Sequence, residues 1–280
     1  MKELSVSKSA GDSESGGVVR LLPGAWRGRA VRLLSLGGFL FLWQAVAWTG
    51  KFTPYQVPSP TLVASTFTGL LIDGDILYFL SHSLRHYSIG LAWGISVGIA
   101  VGLIMAWFRQ AEQVLEPIIT ALRPIPPLAW IPFAIIWFGI TTQAAAFLIS
   151  LGAFYITLFA TYGAVKAVDS RLVEVARTLG EKSDWAVLRR VILPASMPGI
   201  LTGVRTSLGQ GWMTVVAAEM FGIKGIGMQM LEASGLLAMD VVISYMIVIG
   251  IIYFFHCAVD APTIFFSSFF IYLSIFCISL

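Results

Sequence analysis

The sequence predicts an all-α protein: a polytopic bundle of about six membrane-spanning helices with one charged two-helix loop on the cytoplasmic side. Three observations carry this. The 280 residues are 57% hydrophobic and 12% charged, against about 25% charged in an ordinary soluble domain. A chain of this size cannot hide so much apolar surface from water, so lipid must serve as its solvent. Long apolar runs recur along the chain, and the basic residues alternate between them. Six of the 18 Lys and Arg precede the first run, and another six lie between Lys166 and Arg190. The segments that alternate with these hold only Lys51, Arg85 and Lys224. Basic residues mark cytoplasmic loops, so both ends of a six-span chain and the Lys166–Pro198 loop are expected in the cytoplasm.

Residues 1–30 open as MKELSVSKSAGDSESGG, polar, rich in small residues and without a signal-peptide apolar core. They read as a disordered cytoplasmic tail. The first span is expected over about Leu33–Trp48, following Arg20, Arg27, Arg29 and Arg32. Lys51–Tyr87 reads as an outer segment, a turn-rich entry at Pro54, Pro58 and Pro60 followed by a helix with Thr61, Leu62, Phe67, Leu70 and Leu71 on its apolar side. Further spans are expected at Ser88–Phe108, Ile118–Phe138, Ala144–Val165, Gly199–Phe221 and Val241–His256, most near the roughly 20 residues a crossing needs. Gly90, Gly94, Gly98 and Gly102 repeat every fourth residue, a ridge that lets another backbone come close. The Ile118–Phe138 run contains Arg123, Pro124, Pro126, Pro127 and Pro132. Prolines free backbone carbonyls that lipid cannot satisfy, so this run lines something or is not a simple span.

The loop is the most informative stretch. Asp169 or Ser170 is suited to cap a helix, and Leu172, Val175, Ala176 and Leu179 then form one apolar stripe at helical spacing. Arg171, Glu174, Arg177 and Thr178 take the other face, and Gly180 suits the left-handed residue that ends such a helix. A second helix is expected to start at Ser183, to gather Trp185, Leu188, Val191 and Ile192 on one side, and to stop at Pro194 and Pro198. Neither helix is long enough to be stable alone in water, so each must pack on the bundle, on its neighbour or on another protein.

This loop resembles the coupling motif of ATP-binding cassette importer permeases: Glu-Ala-Ala, three residues, Gly, a gap, then a β-branched residue, one residue, Leu and Pro. Glu174, Val175 and Ala176 stand for the triplet, Gly180 for the glycine, and Val191, Leu193 and Pro194 for the end. Val175 replaces an alanine, and the Glu181–Arg190 gap is one residue longer than the family's usual spacing. One residue rotates a helix by about 100°, and the turn after Gly180 is expected to absorb it. PYQVPSP at Pro54–Pro60, LRPIPPLAWIPFAIIWFGI at Leu122–Ile140 and GWMTVVAAEMFGIKGIG at Gly211–Gly227 are similar to the nitrate, sulfonate and taurine branch, over about residues 35–253.

The resemblance implies a permease domain over 31–256, with 166–198 as its coupling loop, in a bacterial plasma (inner) membrane with the N-terminus cytoplasmic. It implies two copies forming the pathway as a homodimer. Arg171, Glu174, Val175, Ala176, Leu179, Gly180, Leu193 and Pro194 would form the contact with a cytoplasmic ATPase, and an extracytoplasmic binding protein would deliver a small anion such as a sulfonate, taurine, nitrate or bicarbonate. Related permeases carry thiamine-precursor pyrimidines. The chain is not expected to be an enzyme. It has no G-x-x-x-x-G-K-[ST] loop, so ATP is expected on the partner and no cofactor on this chain. No nucleic acid is expected as a partner. The alternative is a secondary transporter or channel, which usually shows inverted repeats and intramembrane ionisable groups for ion coupling. Neither a repeat nor an acid chain is visible, only Glu219. A membrane enzyme would need clustered His, Asp or Glu, and the three His fall at 82, 86 and 256.

Intramembrane polar groups are functional candidates. Pro126, Trp130, Pro132, Gln210, Trp212 and Glu219 are the pathway candidates. Glu219 has a second reading, as the partner of an Arg or a backbone amide, and Pro124–Pro132 has one as a kinked, packed helix. Arg205 is read as snorkelling toward the headgroups. Gly222, Gly225 and Gly227 with Lys224 form an outer loop, read as a plain turn or as a contact for the binding protein. His82 and His86 share a helical face without a third ligand, so no metal site is expected. Cys257 and Cys277 make no disulfide framework. Residues 257–280 are apolar and form a seventh span, a divergent tail or the product of an altered frame.

Overall fold

The computed structural model describes residues 24–255 apart from 52 and 54. Most of the expected N-terminal tail and the apolar tail at 257–280 lie outside the described residues. Those residues form helices and connecting turns, with no strand among them. In chain order the helices are α1 (Gly24–Trp48), α2 (Pro60–Ile72), α3 (Asp75–Trp107), α4 (Arg109–Leu122), α5 (Ile131–Phe138), α6 (Thr142–Lys166), α7 (Ser170–Thr178), α8 (Asp184–Val187), α9 (Leu193–Glu219) and α10 (Ile226–Gly235). A last helix, α11, covers Met239–Phe255.

Three of these helices are long and apolar enough to cross a membrane: α3, α6 and the continuous helix Asp184–Glu219 that contains α9. The expected third span is not a straight crossing. The chain bends by 89° between α4 and the Pro127–Phe138 segment, because Pro124, Pro126 and Pro127 interrupt the helix and a short 3-10 turn, Pro127–Trp130, restarts it. The bend answers the question the prolines raised.

Helix α2 starts as its sequence requires: the Ser59 side chain accepts a hydrogen bond from the Leu62 amide, with Pro60 opening the helix, where its missing N–H costs nothing. Gly74, at φ 83°, turns the chain directly into α3. At 33 residues and 1.5 Å per residue, α3 is about 50 Å long, well beyond a hydrocarbon layer of about 30 Å. The expected boundary at Ser88 is therefore too late. Ser83 and His86 belong to the same rod as the glycine ridge.

That ridge packs on α6. A Cβ built on Gly94 would stand 2.5 Å from the Ser150 carbonyl oxygen, and one on Gly102 would stand 2.8 Å from that of Leu158. Close backbone approach of this kind supports helix association where lipid supplies no hydrophobic drive. On an adjoining face α6 meets α9 through Ala160 and Ala164, against Gly203 and Gly199. Tyr87, Leu91, Ile149, Ala153, Trp212 and Val215 fill the junction of the three helices. Trp212 stands edge-on to Tyr87 and donates its indole N–H to the Ile249 carbonyl of α11 at 3.3 Å.

Candidate functional site

The loop between α6 and α9 is built as two capped pieces. Asp169 accepts a hydrogen bond from the Arg171 amide at 2.9 Å and starts α7. At the other end Gly180 takes φ 97°. Its N–H donates to the Arg177 carbonyl, and the Glu181 N–H donates to that of Ala176, each at 3.1 Å. This pair of bonds is the Schellman arrangement that closes a helix around a left-handed glycine. Two ion pairs bridge the joint, Arg177–Asp184 at 2.6 Å and Arg190–Glu181 at 2.8 Å. Both are exposed, so each contributes about 1 kcal/mol at most; the caps and the packing beneath fix the geometry.

That packing is apolar. Val165, Val187, Leu188 and Ile192 are buried together, with Leu103, Ala106, Trp107, Val168, Val173 and Leu193 against them. The end of α3, the end of α6 and the start of the last long helix thus share one small core under α7. Val173 faces that core, and this turns Leu172, Val175 and Leu179 outward, with Leu179 84% exposed. Ala176 and Pro194 are half-buried, while Arg171, Glu174 and Gly180 are exposed.

Two expectations for the second helix need correction. Pro194 does not stop it: α8, a π turn at Leu188–Ile192 and α9 run as one 36-residue helix. The wide turn places a break in the i→i−4 pattern just before the ring that cannot donate. A π turn also takes up one extra residue. The one-residue surplus after Gly180 thus meets two points of adjustment, the non-helical 181–183 stretch and this turn. Trp185, expected on the packed side, is 68% exposed, and Val187 is buried in its place.

The pathway candidates fall into two environments. Pro126, Pro132 and Gln210 are exposed and Trp130 is half-buried. Trp212 and Glu219 are buried to 1% and 0% exposure.

Glu219 ends α9 and holds the Gly222–Gly227 loop. One carboxylate oxygen accepts the Gly227 N–H at 2.9 Å; the other lies 4.0 Å from His86 Nε2. His86 Nε2 donates to the Lys224 carbonyl at 2.9 Å, and Ser83 Oγ accepts the Ile226 N–H at 3.0 Å. Lys224 reaches the Tyr78 hydroxyl at 3.3 Å. Two helices and the Gly222–Gly227 loop are thus tied by the buried Ser83, His86 and Glu219, with the exposed Lys224–Tyr78 bond at the rim. Gly225 and Gly227 leave no room for a side chain, since a Cβ on Gly225 would stand 2.2 Å from the Glu219 carboxylate. The backbone-amide reading of Glu219 is the one the geometry realises. Ser83 and His86 were missed as its companions. Their shared face on α3, opposite a glycine-rich loop after a helix-terminal acid, was the available signal. His82 instead packs edge-on to Tyr78. Among the described residues no cluster of His, Cys, Asp or Glu is placed to hold a metal.

Comparison with known proteins places this architecture. Residues 94–259 match the family of binding-protein-dependent transport system inner membrane components, and the chain belongs to that family. It is 42% identical over 187 residues to a putative ABC transporter permease of Methanocaldococcus jannaschii, covering 66% of this chain and 68% of the relative. With the taurine transport system permease TauC of Escherichia coli it shares 35% over 226 residues, 79% of this chain and 82% of that one. Among solved structures, the inward-facing MetNI methionine ABC transporter has the same fold, with a TM-score of 0.58 at 19% identity over 71% of this chain and 95% of that one. The chain is a permease subunit of an ABC importer, embedded in the membrane, and its relatives are transport subunits rather than enzymes.

Proposed function

We propose that α7 is the docking helix for a cytoplasmic ATPase, and that ATP-driven motion of that partner enters the bundle through the small core beneath it. The observation that carries this is the outward stripe of Leu172, Val175 and Leu179 on a helix capped at both ends. An apolar stripe facing water needs a partner, and a helix fixed by Asp169, Gly180 and the Val173 contact keeps its shape under load. Arg171 and Glu174 flank the stripe and would set register. Ala176, Gly180, Leu193 and Pro194 hold the helix in place. ATP then binds the partner, and no cofactor is needed on this chain.

The loop side is the cytoplasmic side in this reading, and the N-terminus lies with it. One copy offers one docking helix and one set of spans, so a homodimer closes the pathway by two-fold symmetry. Pro126, Pro132 and Gln210, which are exposed, and half-buried Trp130 would face that pathway, whereas the buried Trp212 and Glu219 would support it from within. Lipid covers the remaining exposed apolar faces. A separate binding protein delivers the substrate on the far side. The substrate is a small anion such as a sulfonate, taurine, nitrate or bicarbonate, a class supported by the taurine permease relative.

The test is co-purification. Tagged chain expressed with its neighbouring ATPase should bring that ATPase down. Leu179→Glu or Glu174→Lys should abolish the association while the chain still inserts into membranes. Undiminished capture by both variants would refute docking at α7.

A further inference from the structure

Helix α4 is fastened to the end of α6 at a point that docking alone does not explain. Glu112, in the first turn of α4, accepts a hydrogen bond from the Tyr162 hydroxyl through one oxygen and from Lys166 Nζ, at 2.8 Å, through the other. Lys166 is the last residue of α6, and Ser170 opens α7. At the far end of α4 the Arg123 guanidinium lies 4.4 Å from the centre of the Phe159 ring. Phe159, Tyr162 and Lys166 follow at i, i+3 and i+7, one face of α6. Between the two clamps Ile119 is buried with Leu158 and Met105. The pattern on α4 is matched: Glu112, Leu115, Ile119 and Arg123 form its inner face.

We infer that the Glu112–Lys166–Tyr162 cluster is a strut that carries displacement of the docking helix into α4, and through α4 into the bent Pro126–Trp130 segment. The inference rests on the permease reading given above. Three features support it. The cluster stands four residues from the start of α7, so Lys166 ties the chain entering α7 directly to α4, beside the small core beneath α7. The carboxylate is fully engaged, with both oxygens bonded to a neighbouring helix, which favours a fixed geometry over a sliding one. Beyond α4 lies the 89° bend, where rotation of a short helix becomes displacement of the proline segment. An exposed ion pair alone is worth little in stability. Its position between two moving parts gives it a role that a stability count misses. Glu112 and Lys166 are positioning residues here.

The test uses the full chain purified with its ATPase in nanodiscs. The probe is the labelling rate of Ala129→Cys by a membrane-impermeant maleimide, compared between nucleotide-free and ATP–vanadate-trapped complex. The parent should show a nucleotide-dependent change in that rate. Glu112→Lys and Lys166→Glu should each lose the change while ATP hydrolysis persists, and the double exchange should restore it. Should a charge reversal block assembly, Lys166→Met keeps the chain length without the charge and is also expected to lose the change. Single variants that respond like the parent, or a double exchange that fails to restore the response, overturn the strut alone. A parent complex blind to nucleotide refutes the permease–ATPase reading and the strut with it.

Discussion

Glu219 and Gly227 are joined by a carboxylate–amide hydrogen bond of 2.9 Å, eight residues apart and fully buried. The bond turns the end of α9 into an anchor for the Gly222–Gly227 loop, and it gives the one buried acid of that helix end a backbone partner. A donor left bare in an apolar setting costs about 1–3 kcal/mol. Glu219→Gln retains an acceptor of the same shape and should melt close to the parent in detergent. Glu219→Leu strands the Gly227 N–H and should lower the melting temperature clearly. Equal melting of the two variants would show that the bond contributes nothing.

Gly225 tests the same contact from the other side. A Cβ there would overlap the Glu219 carboxylate at 2.2 Å. Gly225→Ala should therefore destabilise, and shortening the acid should relieve the clash. In a thermal-melt cycle the double variant Gly225→Ala/Glu219→Ala should be less destabilised than the two single losses added together. Strict additivity would mean that the residues do not touch.

The glycine ridge of α3 predicts a contrast. Gly94→Val drives a branched side chain into the Ser150 carbonyl and the Ala153 methyl of α6, and backbone cannot yield as a side-chain tip can. Overpacking of this kind costs about 1–3 kcal/mol. Gly163→Ala, on α6 itself, meets nothing within 4 Å and should be neutral or slightly stabilising through helix propensity. Thermal stability of the two variants in detergent checks the contrast. A Gly94→Val protein as stable as the parent would mean that α3 and α6 do not approach this closely.

Gly180 separates conformation from contact. Nothing stands within 4 Å of an added Cβ, yet φ is 97°, so the cost of Gly180→Ala is conformational and of order 1–2 kcal/mol. Asparagine tolerates the left-handed region better, and Gly180→Asn should fall between glycine and alanine. The readout is the amount of ATPase co-purified per permease. An alanine variant that captures as much as the parent would show that the Schellman closure is dispensable.

The sequence was a good guide wherever the signal was local. The Asp169 cap, the Gly180 closure and the Leu172–Leu179 stripe follow from residue type and helical spacing within about ten residues, and the structure forms each of them. The one-in-four glycines likewise announced a close neighbour, though not that it would be α6. Legibility failed where a local rule competes with packing. Pro194 is a helix stop by its own chemistry, but a π turn ahead of it lets the helix continue. Helical spacing groups Trp185 with Leu188, Val191 and Ile192, yet Trp185 is exposed and Val187 holds the buried position, because the register of α8 is set by the small core at the ends of α3 and α6.

What the sequence determined by itself is the solvent of the chain and the local shape of its loop. Apolar content and charge alternation settle the first, and hydrogen bonds that close within one turn settle the second. Only the tertiary structure decided that Ser83 and His86 meet Ile226 and Lys224, 143 and 138 residues away, and that Glu112 meets Tyr162 and Lys166. These pairings satisfy polar groups across helices whose order and rotation emerge only when the whole bundle packs, and no periodicity within one helix encodes them.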